Sequence, residues 1–461
     1  YNKQFQPYIV NYKSGHTFLD FAGCSIYSSR QITEYTESLK RNVYGNPHSG
    51  NPSSDLMAAE VEKVRNTVLA FFNTTSSEYS IIFTSGATAG LKLVAQSFDW
   101  TPGKSMYAYL EDNHTSVVGI REAAIDKGAH SVCLRFPKHF KPILLRPSNQ
   151  MKMGGDNQAE PSHLFAYPAQ SNFAGRKYPL NWIQNVKKGA IGSLLSKTDV
   201  KSTWFTLLDA AAFVATSNLD LGEYPADFVT VSFYKIFGFP TGIGALLVRN
   251  KAAPKLDKIY FGGGTTQVYL PSKNYSLLKT KLHEKFEEGT IAFLDILALR
   301  HGFATISRIT GHMENITNHL FNLIHWLYNK LNTLTHKNGE KCIVIYTTTR
   351  YSNPTLQGAT IAFNVRSMDG RYIGYKEVLS TASKENIHLR GGCFCNAGSC
   401  NYLLGIDDDK LNQIQKSGYV CGEADIVNGF PVGAVRVSLG YMSTIDDVIS
   451  FFQFIKRYYV Q

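Results

Sequence analysis

What this sequence lacks narrows its class at once. No run approaches the ~18 consecutive apolar residues that span a bilayer. The longest candidate, Ile236 to Val248, is broken by glycine and proline, so no membrane partner is expected. The chain starts at Tyr1 instead of Met, and no basic stretch leading into an apolar one follows, so a fragment or processed chain without a secretory signal is expected. Nothing recurs at a fixed period of about 20 to 50 residues, which excludes a solenoid or propeller. Cysteine is scarce, seven in 461 residues, an odd number that makes no secreted disulfide framework, and a cytoplasmic location is expected. With 44% hydrophobic and 18% charged residues, wholesale disorder is excluded. The 47 basic side chains exceed the 36 acidic ones and give +11. They are scattered in short groups such as Lys187-Lys188, and no nucleic-acid partner is expected.

The patterns that are present describe an α/β protein. From about residue 50 to 250, apolar strand-like runs alternate with helical periodicity, as in βαβ units around a mostly parallel sheet with helices on both faces. Seven strands are expected, at Ile81 to Thr84, Met106 to Leu110, Ser131 to Phe136, Leu164 to Tyr167, Trp204 to Leu208, Phe228 to Val231 and Ile243 to Val248. Val61, Val64, Val68 and Phe72 form one helical stripe. Residues 137–160, rich in Pro, Gly, Asn and Lys, read as a surface insertion. Two long helices follow, near 293–310 and 313–333, then strands near Cys342 to Tyr346, Thr360 to Val365 and Val435 to Leu439. A last helix is capped by Thr444 with Asp446 and Asp447 behind it. The expected division is a large domain over 31–292 and a smaller α+β domain made of 1–30 and 293–461.

Ligands of open α/β sheets bind beyond the carboxyl ends of the strands, and four polar segments lie there. Thr84 to Gly90 is small and glycine-containing, suited to an anion at a helix N-terminus, although the Gly-Lys-Ser/Thr ending of a Walker loop is missing. Read singly, it is as compatible with a plain strand-to-helix turn. His114 ends a second strand, where a satisfied structural histidine is the plainer alternative, and Asp209 ends a third, where a helix cap is. In Ser232-Phe233-Tyr234-Lys235 a lysine follows a buried strand in apolar, glycine-rich surroundings, where a desolvated amine could form a Schiff base. Together these supply what pyridoxal phosphate requires: anion binding, ring packing, a carboxylate for the ring nitrogen and an imine partner.

With these residues in hand, the chain resembles the fold-type I pyridoxal-phosphate enzymes of the class V aminotransferase and cysteine desulfurase group. The resemblance runs from Leu19-Asp20-Phe21-Ala22-Gly23 and Tyr44-Gly45-Asn46-Pro47-His48-Ser49 to Ala434-Val435-Arg436-Val437-Ser438. It implies that Lys235 carries the cofactor, that Asp209 pairs with its ring nitrogen, and that Ala87, Thr88 and Ser232 bind its phosphate. His114 would stack on the ring and move protons, and Asn172 would lie near the phenolic oxygen. Glu288-Gly289-Thr290 resembles the family's segment whose threonine reaches the phosphate of a neighbouring subunit, which implies a homodimer. Arg436 resembles the arginine that grips the substrate carboxylate. Two positions depart from the usual pattern: Tyr234 stands where many members have His, and Ala212 where many have Gln. Tyr234 keeps a hydroxyl donor and Ala212 keeps none.

The segment His388 to Cys400 places three cysteines, Cys393, Cys395 and Cys400, within eight residues. A zinc site would need a fourth ligand such as His388 or Cys421, and the paired CxxC spacing is missing, so no metal is expected. A reversible disulfide or inert core cysteines are a second reading. The third is a sulfur-accepting nucleophile, with Arg390 favouring a thiolate. In the resembled desulfurases the loop cysteine follows an arginine by five positions, which implies Cys395 as acceptor of sulfur from L-cysteine, through a persulfide, with Arg390 beside the substrate and Cys393 as accessory thiol. The Gly-Cys-Phe-Cys-Asn form is similar to that of eukaryotic molybdenum cofactor sulfurases. That implies an acceptor in the molybdenum cofactor, or a desulfo molybdoenzyme, reached through a C-terminal domain beyond residue 461. An iron–sulfur cluster desulfurase, a selenocysteine lyase and a catalytically silent scaffold are the alternatives.

Overall fold

The computed structural model describes residues 15–135, 161–191, 203–416, 418 and 422–461. The insertion expected at 137–160 and Cys421 lie outside the described residues.

Seven strands form the large sheet: β1 (Tyr79–Thr84), β2 (Met106–Leu110), β3 (His130–Leu134), β4 (Ser162–Pro168), β5 (Thr203–Asp209), β6 (Phe228–Ser232) and β7 (Gly244–Arg249). Their order is β1-β7-β6-β5-β4-β2-β3, with β7 alone running against its neighbours. The expected strands are all present, each within a few residues of its expected limits. Every residue of β2, β4 and β6 is buried, which is why these strands read as unbroken apolar runs and not as alternation.

Helix α1 (Ser29–Arg41) starts at a Ser28 cap, and α2 (Pro52–Phe71) starts at Asn51, whose side chain accepts from the Ser54 N–H ahead of a helix-compatible Pro52. Val61, Val64 and Val68 of α2 are buried, and Phe72 closes the stripe at its C-cap. Helix α3 (Ala87–Ser97) covers the other face, packed on β6 and β7. Two long helices, α4 (Phe293–Thr310) and α5 (Met313–Asn332), then lead to a second sheet. In it β8 (Ile343–Tyr346), β9 (Thr360–Arg366), β10 (Arg390–Gly392) and β11 (Ala434–Ser438) take the order β8-β9-β11-β10, with a short strand Tyr372–Ile373 beside β9. The N-terminal strand Thr17–Phe18 pairs with Ile387–His388 and Asp20 bridges to Ser438, so the start of the described chain packs beside this sheet. Helix α6 (Tyr375–Lys384) and helix α7 (Ala397–Leu404) bracket β10 in sequence. The last helix, α8 (Ile445–Tyr459), carries the expected cap as a reciprocal Thr444–Asp447 box.

One apolar core runs continuously from Leu19 and Phe21 through the large sheet to Val437 and Phe451. No helix among the described residues is long and apolar enough to cross a membrane.

Candidate functional site

Register alone brings three of the expected residues together. Pro168, Asp209 and Thr230 are aligned across β4, β5 and β6, so the turn holding Asn172, the Asp209 carboxylate and the segment leading to Lys235 leave the sheet side by side. Thr84 and Ser232 both align with Gly244 on β7, which lies between them. A Cβ on Gly244 would sit 2.7 Å from the Gly86 backbone, so the missing side chain lets the Gly86 turn close onto Ser232. There the Ala87 N–H donates to Ser232 Oγ at 2.9 Å, and Thr88 Oγ1 is 2.9 Å from Ser116 Oγ. The result is an eleven-residue helix whose N-terminus opens onto hydroxyls, a cradle for a phosphate.

Lys235 lies just inside a single helical turn, Tyr234–Phe237, after β6. Burial pulls its amine below the ordinary lysine pKa, Asp209 opposes the shift, and Arg436, Arg390 and Cys395 are also close enough to act on it. Its amine takes no hydrogen-bonded partner among the described residues. His114 caps the short helix Thr115–Val118, its Nδ1 accepting from the Ser116 N–H at 3.1 Å. That bond leaves Nε2 to carry the ring proton, and burial, the largest influence, pushes the imidazole pKa down. Among the described residues the Asp209 carboxylate accepts only from the Ala211 N–H, at 3.1 Å. A carboxylate, a desolvated amine without a partner, a neutral imidazole and a hydroxyl-lined helix start are the donor set that pyridoxal phosphate needs, and the residues fit it.

Arg436 is 2% exposed. Its Nη2 donates to Asp20 Oδ1 at 2.8 Å, its Nη1 to the Asn172 carbonyl at 2.9 Å, and its Nε is buried without a partner. Arg390 stands directly across from it in the β10–β11 pairing. Two guanidinium groups at opposed positions repel unless an anion lies between them, and Asp20 neutralises one. Thr290 is exposed and receives a 3.4 Å bond from Asn46 Nδ2. The Tyr234 hydroxyl is half-buried, and beside Ala212 the amide of Gln170 donates to the Ala212 carbonyl at 3.4 Å.

The cysteine segment departs from one expectation. Cys393, expected as an accessory thiol, is bonded to Cys400, their Cα atoms 5.3 Å apart. The chain turns at Asn396, and the first turns of α7 bring Cys400 back over Cys393. Cys395 is a free, exposed thiol between the two. Phe394 is buried against Phe173 and under the Arg436 guanidinium, 4.5 Å from its ring centre. Asn172, expected near a cofactor oxygen, also donates through Nδ2 to the Phe394 carbonyl at 2.6 Å.

Several residues at the site were not singled out from sequence. Asp20, Asp112, Thr115 and Asn396 stand in the sequence only as members of longer motifs, with no task of their own; Cys24, a free thiol, lies close enough to Asp20 and Lys235 for both to act on it. Asp112 had one usable signal, its place two residues before His114 at a strand end. Asn396 had another, as the cap residue of the helix after the cysteines.

Compared with known proteins, residues 17–451 match the family model of class-V aminotransferases. The molybdenum cofactor sulfurase of Homo sapiens is 46% identical over 96% of this chain and 49% of its own length. That of Danio rerio is 46% identical over 97% of this chain and 54% of its own. The chain thus spans about half the length of these curated relatives. Among solved structures, a cysteine desulfurase from Thermococcus onnurineus aligns with a TM-score of 0.73 at 18% identity, covering 99% of this chain and 97% of that one. The cysteine desulfurase CsdA of Escherichia coli aligns with a TM-score of 0.72 at 17% identity, covering 99% and 97%. These two likenesses establish the fold.

Proposed function

Because this chain belongs to the class-V aminotransferase family, we propose that it is the pyridoxal-phosphate-dependent L-cysteine desulfurase part of a molybdenum cofactor sulfurase. The observation that carries this reading is the convergence on one amine: Lys235, desolvated and unpartnered among the described residues, has Asp209, Arg436, Arg390 and Cys395 as its ionisable neighbours. Lys235 would hold the cofactor, Asp209 its ring nitrogen, Ala87, Thr88 and Ser232 its phosphate, and His114 and Asn172 its ring, with the Tyr234 hydroxyl close by. Pyridoxal phosphate, when bound, supplies an electron sink that loosens the bonds of an amino acid's carbon skeleton.

The chain's own residues then have distinct tasks. Arg436 and Arg390 receive the substrate carboxylate, the buried Nε being the donor left open. The Lys235 amine, neutral more readily than an exposed lysine, takes and returns a proton. His114 holds its proton on Nε2, facing away from the Ser116 bond. The Cys395 thiolate attacks the substrate sulfur, so an S–S bond forms as the substrate C–S bond breaks. One cysteine becomes one alanine, and Cys395 becomes a persulfide. The relatives' name supports the molybdenum cofactor, or a desulfo molybdoenzyme, as the sulfur's destination.

The chain acts as a homodimer in this reading. Thr290 is exposed and would reach the phosphate of a second copy. Ile259, Tyr260, Tyr269 and Tyr275, on and beside an exposed hairpin, offer apolar surface to that copy. Among the described residues the thiols of Cys24, Cys133, Cys342 and Cys395 are unpaired, which supports a cytoplasmic setting.

The test is incubation of the cofactor-loaded protein with L-cysteine, with alanine quantified and Cys395 examined by mass spectrometry. One alanine per 32-Da addition at Cys395 (about one sulfur atom) is expected. Alanine without that addition would refute Cys395 as acceptor. Reactivation of a desulfo molybdoenzyme by the full-length protein, against reconstitution of an iron–sulfur acceptor, decides the destination.

A further inference from the structure

We propose that Asp112, Asn172 and Asn396 form a polar latch that docks the Cys395 loop onto the large sheet, and that they are positioning residues for sulfur transfer; the second half rests on Cys395 being the sulfur acceptor. The loop needs such a device. After Gly392 the chain leaves β10, and its only local backbone bond before the helix is from the Asn396 N–H to the Cys393 carbonyl. Phe394 and Cys395 both adopt positive φ, 56° and 57°. Consecutive left-handed residues that are not glycine persist only where the surroundings over-determine them.

Those surroundings come from the other domain. The Phe394 carbonyl accepts from Asn172 Nδ2 at 2.6 Å, and the next carbonyl, of Cys395, accepts from the Thr115 N–H at 2.7 Å and Thr115 Oγ1 at 3.0 Å. Asn396 uses both ends of its amide. Its Oδ1 accepts from the Ser399 N–H at 3.1 Å and caps α7, while its Nδ2 donates to Asp112 Oδ1 at 2.6 Å and to Asn172 Oδ1 at 2.9 Å. Asp112 is buried at the end of β2 and is itself fixed by Ser171 Oγ and the Tyr178 hydroxyl, each at 2.8 Å. Sterics agree with the hydrogen bonds: a Cβ on Gly398 would lie 2.0 Å from the Glu111 carbonyl oxygen, so α7 rests directly on the backbone that carries Asp112. The loop backbone is therefore held at both carbonyls, while the Cys395 side chain alone is left exposed. A thiolate that must attack a sulfur held beside Lys235 gains from being fixed this way, since a misplacement of about 1 Å costs roughly 100-fold in rate.

The test separates latch from cap. Asn396→Asp keeps an oxygen for the Ser399 N–H but turns a carboxylate toward Asp112. Asp112→Asn added to it restores a donor and acceptor pair. Gly398→Ala attacks the docking by bulk without touching a polar group. In the cofactor-loaded protein, hydrogen exchange is followed in peptides covering 113–118 and 392–400, with alanine formation in a single turnover. Asn396→Asp and Gly398→Ala should each raise exchange in both peptides and slow alanine roughly 10- to 100-fold, with the cofactor absorbance unchanged. The Asn396→Asp/Asp112→Asn pair should return most of both. Unchanged exchange in either single variant, unslowed alanine despite raised exchange, or a double variant no better than Asn396→Asp would overturn the latch. If Cys395→Ala forms alanine at the wild-type rate, the acceptor reading fails and with it the positioning role, while the exchange data still report the docking.

Discussion

The two halves of the site are built by opposite means. The proposed cofactor cradle is made at strand ends: Asp209 and Ser232 are placed by register in one sheet, Lys235 follows in the helical turn after β6, and the backbone does most of the positioning. The cysteine loop is placed by side chains from the turns that follow β2 and β4, and its backbone is held in a conformation it would not adopt alone. The contrast fits the tasks proposed for them. A cofactor site must stay fixed through every turnover, whereas a thiol that collects sulfur and delivers it elsewhere must be held firmly at one moment and be accessible at another.

The largest effect that tests this contrast is Lys235→Ala. It should abolish the absorbance near ~420 nm that borohydride removes and lower turnover by on the order of 10³-fold, while exchange in the loop peptides is unchanged. Loosening of the loop would show that the halves are not independent. Next comes Cys395→Ala, which should keep that absorbance and lower alanine formation by on the order of 10²-fold. Because Cys395 is exposed, its stability should change by less than about 0.5 kcal/mol in denaturant titrations.

Third, Cys400→Ser opens the short disulfide, whose partners are seven residues apart, and should cost about 2 kcal/mol of local stability, read as faster exchange in 393–404 only. Wild-type protein treated with dithiothreitol should behave the same way. The smallest effect concerns acid and falls on the cradle's sheet. His163 of β4 is 2% exposed, accepts from the Met106 N–H of β2 at 3.0 Å, and burial lowers its pKa from 6.5 to about 4. Between those values the unfolded chain binds a proton that the fold refuses, so this contribution is complete above pH 6.5 and is lost as pH falls toward 4. Stability should drop by about 1 kcal/mol from pH 7 to 5.5, and His163→Gln should flatten that slope.

Legibility in the sequence follows the same division. The seven strands could be read because buried parallel strands leave apolar runs and their polar ends leave turn residues. Thr444 announced its helix because a capping box is a local pattern. The meeting of Asp112 and Asn396 left no comparable trace: they are 284 residues apart, and an aspartate at a strand end and an asparagine at a helix cap carry no mark that they touch. A disulfide in the cysteine segment was one of several readings that spacing left open, without its partners, and the course of the chain from Asn396 into α7 joins Cys393 to Cys400. Asp20 was visible within its motif, yet its task on Arg436, 416 residues away, was not.

By itself, then, the sequence determined the α/β class, the strand ends and the residue types gathered at them, because periodicity and capping act over a few residues and are written into neighbouring positions. The tertiary structure alone decided which thiol stands free, what holds its loop and what Arg436 grips, because those depend on side chains brought within hydrogen-bonding distance only after two sheets and the chain's N-terminal segment have packed around one core.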